Sequence, residues 1–188
     1  MKSIAISSIT IAVLGAILTW LFLLEATGPI LFWAALVGWA CFIHAGADNK
    51  ALRDTIAGNI LGIVIAWIAA FLVVSIPAAD ALGLEPWSGI VVGVGLLVLV
   101  LLSGIPAFSS VPAGLLGYAA ALAYIWEAGI LKGEQGMLSA QQLLAADFTN
   151  PLILVVISMV IGALVGYAAE KVVASLSEAG AGPGQVKE

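Results

Sequence analysis

Charged residues are confined to a few short clusters, and this distribution limits the fold more than any other feature of the sequence. The six basic and eleven acidic residues leave long uncharged stretches between the clusters. A helix needs about 20 apolar residues to cross the hydrocarbon core of a bilayer. A charged group at the centre of such a helix costs about 2.5–3.5 kcal/mol on insertion scales, so a lipid-embedded chain requires such stretches. The 63% hydrophobic and 9% charged composition also excludes an ordinary soluble domain.

These stretches predict an all-α, polytopic membrane protein with one transmembrane domain over residues 1–176. Six transmembrane helices are expected, at about residues 4–24, 29–46, 55–76, 87–103, 110–128 and 151–174. Of the six basic residues, only Lys132 falls on the side opposite the termini, so the positive-inside rule predicts that both termini are cytoplasmic (N-in, C-in). Residues 177–188 are polar and rich in Gly and Pro, which predicts a disordered cytoplasmic tail.

The second and fifth predicted helices carry a similar stretch. Residues 34–40 read AALVGWA and residues 113–119, 79 positions later, read AGLLGYA. Helices three spans apart cross the membrane in opposite directions, as in a 3+3 inverted-topology repeat, which places a pathway at the interface of its halves. The alternative is a chance similarity, because membrane helices draw on few residue types.

The inner mouth of such a pathway is the predicted functional site. His44 ends the second helix, Asn59 lies about one turn into the third, and Ser109 and Ser110 lie in the link between the fourth and fifth. Trp39 and Tyr118, which occupy matching positions in the two similar stretches, can form a constriction. The candidate pathway-lining residues are Trp39, His44, Asn59, Ser109, Ser110 and Tyr118.

Each candidate also has a plainer interpretation. His44 can be an interfacial histidine in the headgroup zone. Asn59 can form a hydrogen bond between helices, and the two serines can cap the fifth helix. The two aromatic residues can simply pack.

Two glycine pairs predict close helix contacts. Gly58 and Gly62 in the third helix, and Gly162 and Gly166 in the sixth, each share one helix face and allow two backbones to approach. Packing within one molecule is favoured over an oligomer seam. A protein this small rarely encloses a pathway alone, so we separately expect a homo-oligomer or association with other membrane subunits, with membrane lipid around it.

The sequence favours transport over catalysis. With one histidine, one cysteine and no carboxylate deep in a span, it offers no nucleophile with its base, so we expect no enzyme, no metal site and no cofactor. The absence of a Lys/Arg cluster excludes nucleic acid. Without an ionisable group at membrane depth, a channel or transporter for a small uncharged or weakly polar solute is the leading hypothesis. The alternative is a non-transporting structural or accessory subunit of a larger membrane complex.

Three stretches carry a resemblance to a known family: residues 32–46 (FWAALVGWACFIHAG), residues 111–119 (VPAGLLGYA) and the sixth span from Pro151 to Ala169. They resemble domain-of-unknown-function family 1097, and the resemblance covers roughly residues 5–172. It implies a small helical bundle in a bacterial inner membrane and supplies no substrate or catalytic residue. Where family members have a Cys-Pro-x-Gly-Gly-like turn after the second helix, this chain has His44-Ala-Gly-Ala-Asp48, so the resemblance does not support His44 as a general family feature.

Overall fold

The computed structural model describes residues 2–23, 30–131 and 137–180, and within these residues the fold is all-helical, without strands. The helices are α1 (Lys2–Leu23), α2 (Phe32–His44), α3 (Asn49–Ser75), α4 (Ala79–Leu82), α5 (Leu84–Leu102), α6 (Val111–Leu131), α7 (Ala140–Leu143) and α8 (Pro151–Gly180), with a 3-10 turn at Pro106–Phe108. Four of them, α1, α3, α5 and α8, are long and apolar enough to cross a membrane. Helix α6 has 21 residues and α2 has 13.

Two helices extend further than the uncharged stretches indicated. Helix α3 begins at Asn49 rather than near residue 55, because the Asp48 carboxylate accepts a hydrogen bond from the N–H of Ala51 at 2.6 Å and caps the helix. Lys50 and Asp54 form an ion pair on this first turn. Helix α8 continues to Gly180 rather than ending near residue 174, so the predicted disordered tail (177–188) starts inside it, and residues 181–188 lie outside the described part. Charge marks where a helix leaves lipid, whereas capping decides where it ends.

Helix α2 is shorter than predicted at both ends. It covers Phe32–His44 instead of 29–46, and residue 29 lies outside the described part. The helix stops because Gly46 (φ 113°) and Ala47 (φ 57°) adopt left-handed backbone conformations that reverse the chain towards α3. The remaining long helices, α1, α5 and α6, agree with the predicted ranges within about three residues at each end.

Two local sequence patterns predict helix starts in the connection between α6 and α8, and the structure has both. Ser139-Ala-Gln-Gln142 is a capping-box pattern that predicts a short helix, and Asn150-Pro151 is a cap residue followed by a proline at the first helical position. The Ser139 hydroxyl accepts from the N–H of Gln142 at 3.4 Å, and the Gln142 side chain accepts from the N–H of Ser139 at 2.6 Å, which together form a capping box. Pro151 is the first residue of α8, and Asn150 caps it by accepting from the N–H of Leu152 at 2.9 Å. The predicted caps in this connection are therefore confirmed.

We expect Asn150→Ala to lower the free energy of unfolding by about 2–3 kcal/mol, since about 1 kcal/mol is lost per hydrogen bond removed. The Asn150 amide donates to the carbonyls of Leu143 (3.0 Å) and Ala145 (2.8 Å) in addition to capping α8. Thermal unfolding in detergent measures the change. Gln141→Ala, which removes an exposed amide in α7, is the matched control, and equal losses in the two variants would contradict the bonding described here.

Helices α2 and α8 run side by side in the same direction. Near the start of both helices, the N–H of Leu31 donates to the Ser158 hydroxyl at 2.9 Å. Near the end of α2, the Phe42 ring lies edge-on to the Tyr167 ring, with centroids 6.1 Å apart. Residue numbers rise together along this contact, so the two helices are parallel.

Helices α3 and α6 form a second parallel pair. Gly58 lies against Ser110 and Ala113, at the start of α6. One turn later, Gly62 lies against the backbone of Gly114. Helix α5 packs on α3 with a smaller contact to α6, and α1 packs on α8 with a smaller contact to α2.

The connections divide between two ends of the bundle. The His44 end, as we call it, contains the α2–α3 turn, the α5–α6 link and the C-terminal part of α8. There, the Tyr167 hydroxyl donates to the Asn49 side-chain oxygen at 2.8 Å and joins α8 to the start of α3. At the opposite end, the indole N–H of Trp87 donates to the carbonyl of Val73 at 3.3 Å and joins α5 to the end of α3.

Candidate functional site

Trp39 and Tyr118, the two matched aromatic residues, lie in different helix pairs. Trp39 is 4% exposed, and its ring lies against Gly166 of α8. Tyr118 is 2% exposed and lies against Gly95 of α5, where its hydroxyl donates to the carbonyl of Val92 at 3.0 Å. Each aromatic ring therefore fills a helix contact of its own.

Three other candidates lie at the His44 end. The His44 side chain is exposed. Ser109 is also exposed and lines an open depression of about 710 Å³ between the start of α3 and the α5–α6 link. Ser110 is half-buried, and its hydroxyl accepts from the N–H of Ala113 at 3.4 Å, so it caps α6. The structure thus brings these residues to the surface of one end, away from the buried candidates.

Asn59 is the one candidate whose surroundings are chemically unusual. Asn59 and Thr55 lie one turn apart on α3 and are 1% and 0% exposed. The Thr55 hydroxyl and both polar atoms of the Asn59 amide have no hydrogen-bond partner among the described residues. Folded proteins leave few buried polar groups unpaired, and each such group costs about 1–3 kcal/mol. These two side chains therefore destabilise the fold as it stands.

Cys41 of α2 completes this group of polar side chains. It is 2% exposed and lies within reach of the Thr55 side chain, but in a geometry that leaves the Thr55 hydroxyl without a well-formed hydrogen bond. We call Cys41, Thr55 and Asn59 the polar cluster. Sequence reasoning set Cys41 aside as a single cysteine and did not select Thr55. The spacing of Thr55 and Asn59 could have indicated the cluster, because residues four apart lie on one face of a helix.

Apolar residues separate the polar cluster from the His44 end. Phe42, Ala51 and Ala163 form a fully buried group, with Tyr167 packed against it. Helix α3 starts at the His44 end, and Ala51 precedes Thr55 by one turn. The buried group therefore covers the polar cluster on this side.

Ser158 of α8 shows what a satisfied polar group in this bundle looks like. It is fully buried, donates to the carbonyl of Leu154 at 2.7 Å and accepts from the N–H of Leu31. Donation to the carbonyl four residues earlier is the usual solution for a hydroxyl inside a helix. The unpaired state of the Thr55 hydroxyl is therefore a property of the polar cluster and not of buried hydroxyls in general.

The fold indicates a class of protein, and a family model identifies the family. The described part of the chain is all-helical, and four of its helices are long and apolar enough to cross a membrane, which is typical of a membrane protein. The family model described as "Protein of unknown function (DUF1097)" matches residues 8–174, and the chain belongs to this family. No curated protein and no solved structure matches the chain. Within the described residues, no three His, Cys, Asp or Glu side chains come together as a metal site would require.

Proposed function

We propose that this protein is a multi-pass protein of the bacterial inner membrane that forms a channel or transporter for a small uncharged or weakly polar solute. In this proposal α1, α2, α3, α5, α6 and α8 are the six spans. Helices α1–α3 form one half, and α5, α6 and α8 form the other, inverted half. The short α2 is held along its length by the longer α8, and α6 is held in the same way by α3.

The observation that carries the proposal is a set of four glycine contacts that come in matching pairs. A methyl group added to Gly38 of α2 would overlap the carbonyl oxygen of Met159 of α8. In the other helix pair, a methyl group added to Gly117 of α6 would overlap the carbonyl oxygen of Asn59 of α3. The two contacts are equivalent in kind.

In the other two contacts the glycine lies on the other helix of each pair. A methyl group on Gly162 of α8 would overlap the carbonyl oxygen of Ala35 of α2. A methyl group on Gly62 of α3 would overlap the carbonyl oxygen of Gly114 of α6. In each pair, both helices thus have one glycine that packs directly against the backbone of the other helix.

A constant offset in residue number relates the two helix pairs. Each residue of α2 corresponds to the residue of α6 that lies 79 positions later, so 35 corresponds to 114 and 38 to 117. Each residue of α3 corresponds to the residue of α8 that lies 100 positions later, so 59 corresponds to 159 and 62 to 162. In helix order α1 and α5 are the first helices of the two proposed halves, and the packing of α5 on α3 corresponds to that of α1 on α8. This agreement between separate contacts supports an inverted repeat over a chance similarity. A chance similarity would match the residues of two helices, but it would not also match the residues that each of them contacts.

The threading follows from the basic residues. Lys50, Arg53 and Lys171 all lie at the His44 end, where they line depressions in the surface. The positive-inside rule assigns this end to the cytoplasm. The N-in, C-in orientation is the one proposed.

The buried polar residues favour a passive pathway. Among the described residues they are Thr10, Thr55, Asn59, Asn150 and Ser158, and the buried side chains there include no Asp, Glu, Lys, Arg or His. Proton relays and charge-coupled pumps usually place an ionisable group at membrane depth. We therefore propose no catalysis, no metal and no cofactor, and a solute that crosses without charge.

Solute flux into liposomes tests this function. Liposomes containing the purified protein are mixed with hypertonic urea, glycerol, ammonium or small-acid solutions, and the re-swelling is followed by stopped-flow light scattering. The proposal expects faster re-swelling than in empty liposomes for at least one neutral solute. Unchanged permeability to all of them would count against a channel or transporter.

Helix α5 offers a surface for a second copy of the chain. Gly89 and Gly93 are exposed, have no atoms near the position of a side chain, and lie one turn apart on one face. We expect Gly93→Leu to leave the single chain folded but to shift the detergent-extracted particle from a homo-oligomer to a monomer, as measured by native mass spectrometry. An unchanged mass would contradict an α5 seam.

The same surface supports the second candidate function. A non-transporting accessory subunit would use exposed α5 glycines to hold a different membrane chain, because small residues allow close helix approach. The glycine pairs at 58/62 and 162/166 are not free for this role, since both are occupied by contacts within the chain. Purification from native membranes separates the candidates: copurification of one unrelated membrane chain in fixed ratio supports the accessory role.

A further inference from the structure

The repeat provides an internal comparison for the polar cluster. Under the residue correspondence above, each member of the cluster has a buried apolar counterpart in the second half. The pairs are Cys41 with Ala120, Thr55 with Val155, and Asn59 with Met159. The second half makes the same helix contacts without polar atoms, so packing does not require them in the first half. This argument rests on the proposed function, because the inverted repeat defines the counterparts.

The unpaired atoms of the cluster define the chemistry of a partner. The Asn59 amide offers an acceptor oxygen and N–H donors side by side in one plane, and Thr55 adds a hydroxyl that both donates and accepts. A planar amide presents the complementary pair, so it can form two hydrogen bonds with Asn59. The cluster has no charged group to compensate an ion, and burying an unpaired ion costs far more than burying a neutral group.

We propose that the polar cluster binds a small neutral amide, such as urea or acetamide, through paired hydrogen bonds to the Asn59 side chain and a further bond to Thr55. This binding satisfies the three atoms that the protein itself leaves unpaired. The cluster is then the selectivity site of the pathway. Phe42 and the residues packed around it cover the site on the His44 side, so entry requires them to separate.

Side-chain NMR tests binding separately from transport. The chain has three asparagines, Asn49, Asn59 and Asn150, so protein labelled with ¹⁵N only at asparagine gives three side-chain amide signals. Titration with urea, and separately with acetamide, is expected to shift the Asn59 signal in a saturable way. The signals of Asn49 and Asn150 are internal controls and should shift only linearly. An Asn59 signal that behaves like the controls would overturn the proposal.

Flux measurements with matched variants complete the test. Asn59→Leu is expected to lower urea permeability about tenfold, as the loss of paired hydrogen bonds to the solute implies. Met159→Leu, its counterpart in the second half, is the control and should change permeability less than about twofold, because it swaps apolar side chains of similar volume. Equal effects of the two variants would also overturn the proposal. Each variant is first checked for monodisperse elution and a cooperative thermal transition.

The outcomes distinguish this inference from the proposed function. Urea flux that is insensitive to Asn59→Leu, with no NMR shift, overturns the amide site and leaves the channel in place. A saturable Asn59 shift without any flux through liposomes supports the site and overturns the channel. If glycerol shifts the Asn59 signal as urea does, the site recognises hydrogen-bonding solutes in general, and the amide assignment is overturned.

Discussion

Gly162→Ala is expected to disrupt the packing of α8 on α2 and to produce the largest loss of stability of any single methyl group in the described bundle. The added carbon would overlap the carbonyl oxygen, carbonyl carbon and Cα of Ala35, all of which are backbone atoms. A side chain could rotate away, but a helix backbone must shift as a unit. Overpacking in a core typically costs about 1–3 kcal/mol, and we expect a loss at or above the upper end of this range. Thermal unfolding in detergent measures the loss.

The repeat and the exposed glycines provide the controls for this prediction. Gly62→Ala should be destabilising to a similar extent, because Gly62 occupies the corresponding position against Gly114. Gly15→Ala and Gly89→Ala place a methyl group in open space, so they should be neutral or slightly stabilising, as alanine is favoured over glycine in a helix by about 1 kcal/mol. If Gly162→Ala proves as stable as Gly89→Ala, the close α2–α8 contact does not exist.

Asn59→Leu is expected to raise stability, in contrast to most substitutions of buried residues. The amide has no hydrogen-bond partner among the described residues, so replacing it by an apolar side chain of similar size removes a desolvation penalty of about 1–3 kcal/mol. The thermal midpoint in detergent, without added amide, should therefore increase. If the same variant also loses urea permeability, the polar cluster lowers the stability of the fold but is needed for permeation, as is common for binding sites.

Met159→Leu is the control for this second prediction. It changes the corresponding buried position without removing a polar group, so the free energy of unfolding should change by less than about 1.5 kcal/mol. A marked decrease in the stability of Asn59→Leu, with Met159→Leu unaffected, would mean that the amide already has a stabilising partner. The polar cluster would then be structural.

The number and approximate position of the helices could be predicted from the distribution of charged residues along the sequence. The uncharged stretches located all six apolar helices, and local patterns located the capping box at Ser139 and the start of α8 at Pro151. Helix ends were less predictable. At Asp48 a capping side chain extends α3 into the charged cluster, and at Gly46 a left-handed backbone ends α2 early. Caps and turns depend on one or two residues, whereas a span depends on about 20.

Helix pairing and the polar cluster were beyond the sequence argument. Gly58 and Gly62 predicted a close contact within the chain, but nothing in the sequence named α6 as the partner, since apolar helices lack a polar face that orients them. Asn59 was selected as a polar residue within a span. Thr55 and Cys41 were missed because each is ordinary in a membrane helix, and only the three-dimensional structure reveals that the Thr55 hydroxyl is unpaired.

The proposed six-span arrangement fixes which side of the membrane each end of the bundle faces, and cysteine labelling measures this directly. In a Cys41→Ala background, single cysteines are introduced at Ala45 and Ala107, exposed at the His44 end, and at Ser139, exposed in the connection between α6 and α8. Intact cells are treated with a membrane-impermeant maleimide, before and after permeabilisation. We expect labelling of S139C in intact cells, and labelling of A45C and A107C only after permeabilisation. Labelling of S139C and A107C from the same compartment would contradict the six-span, inverted arrangement.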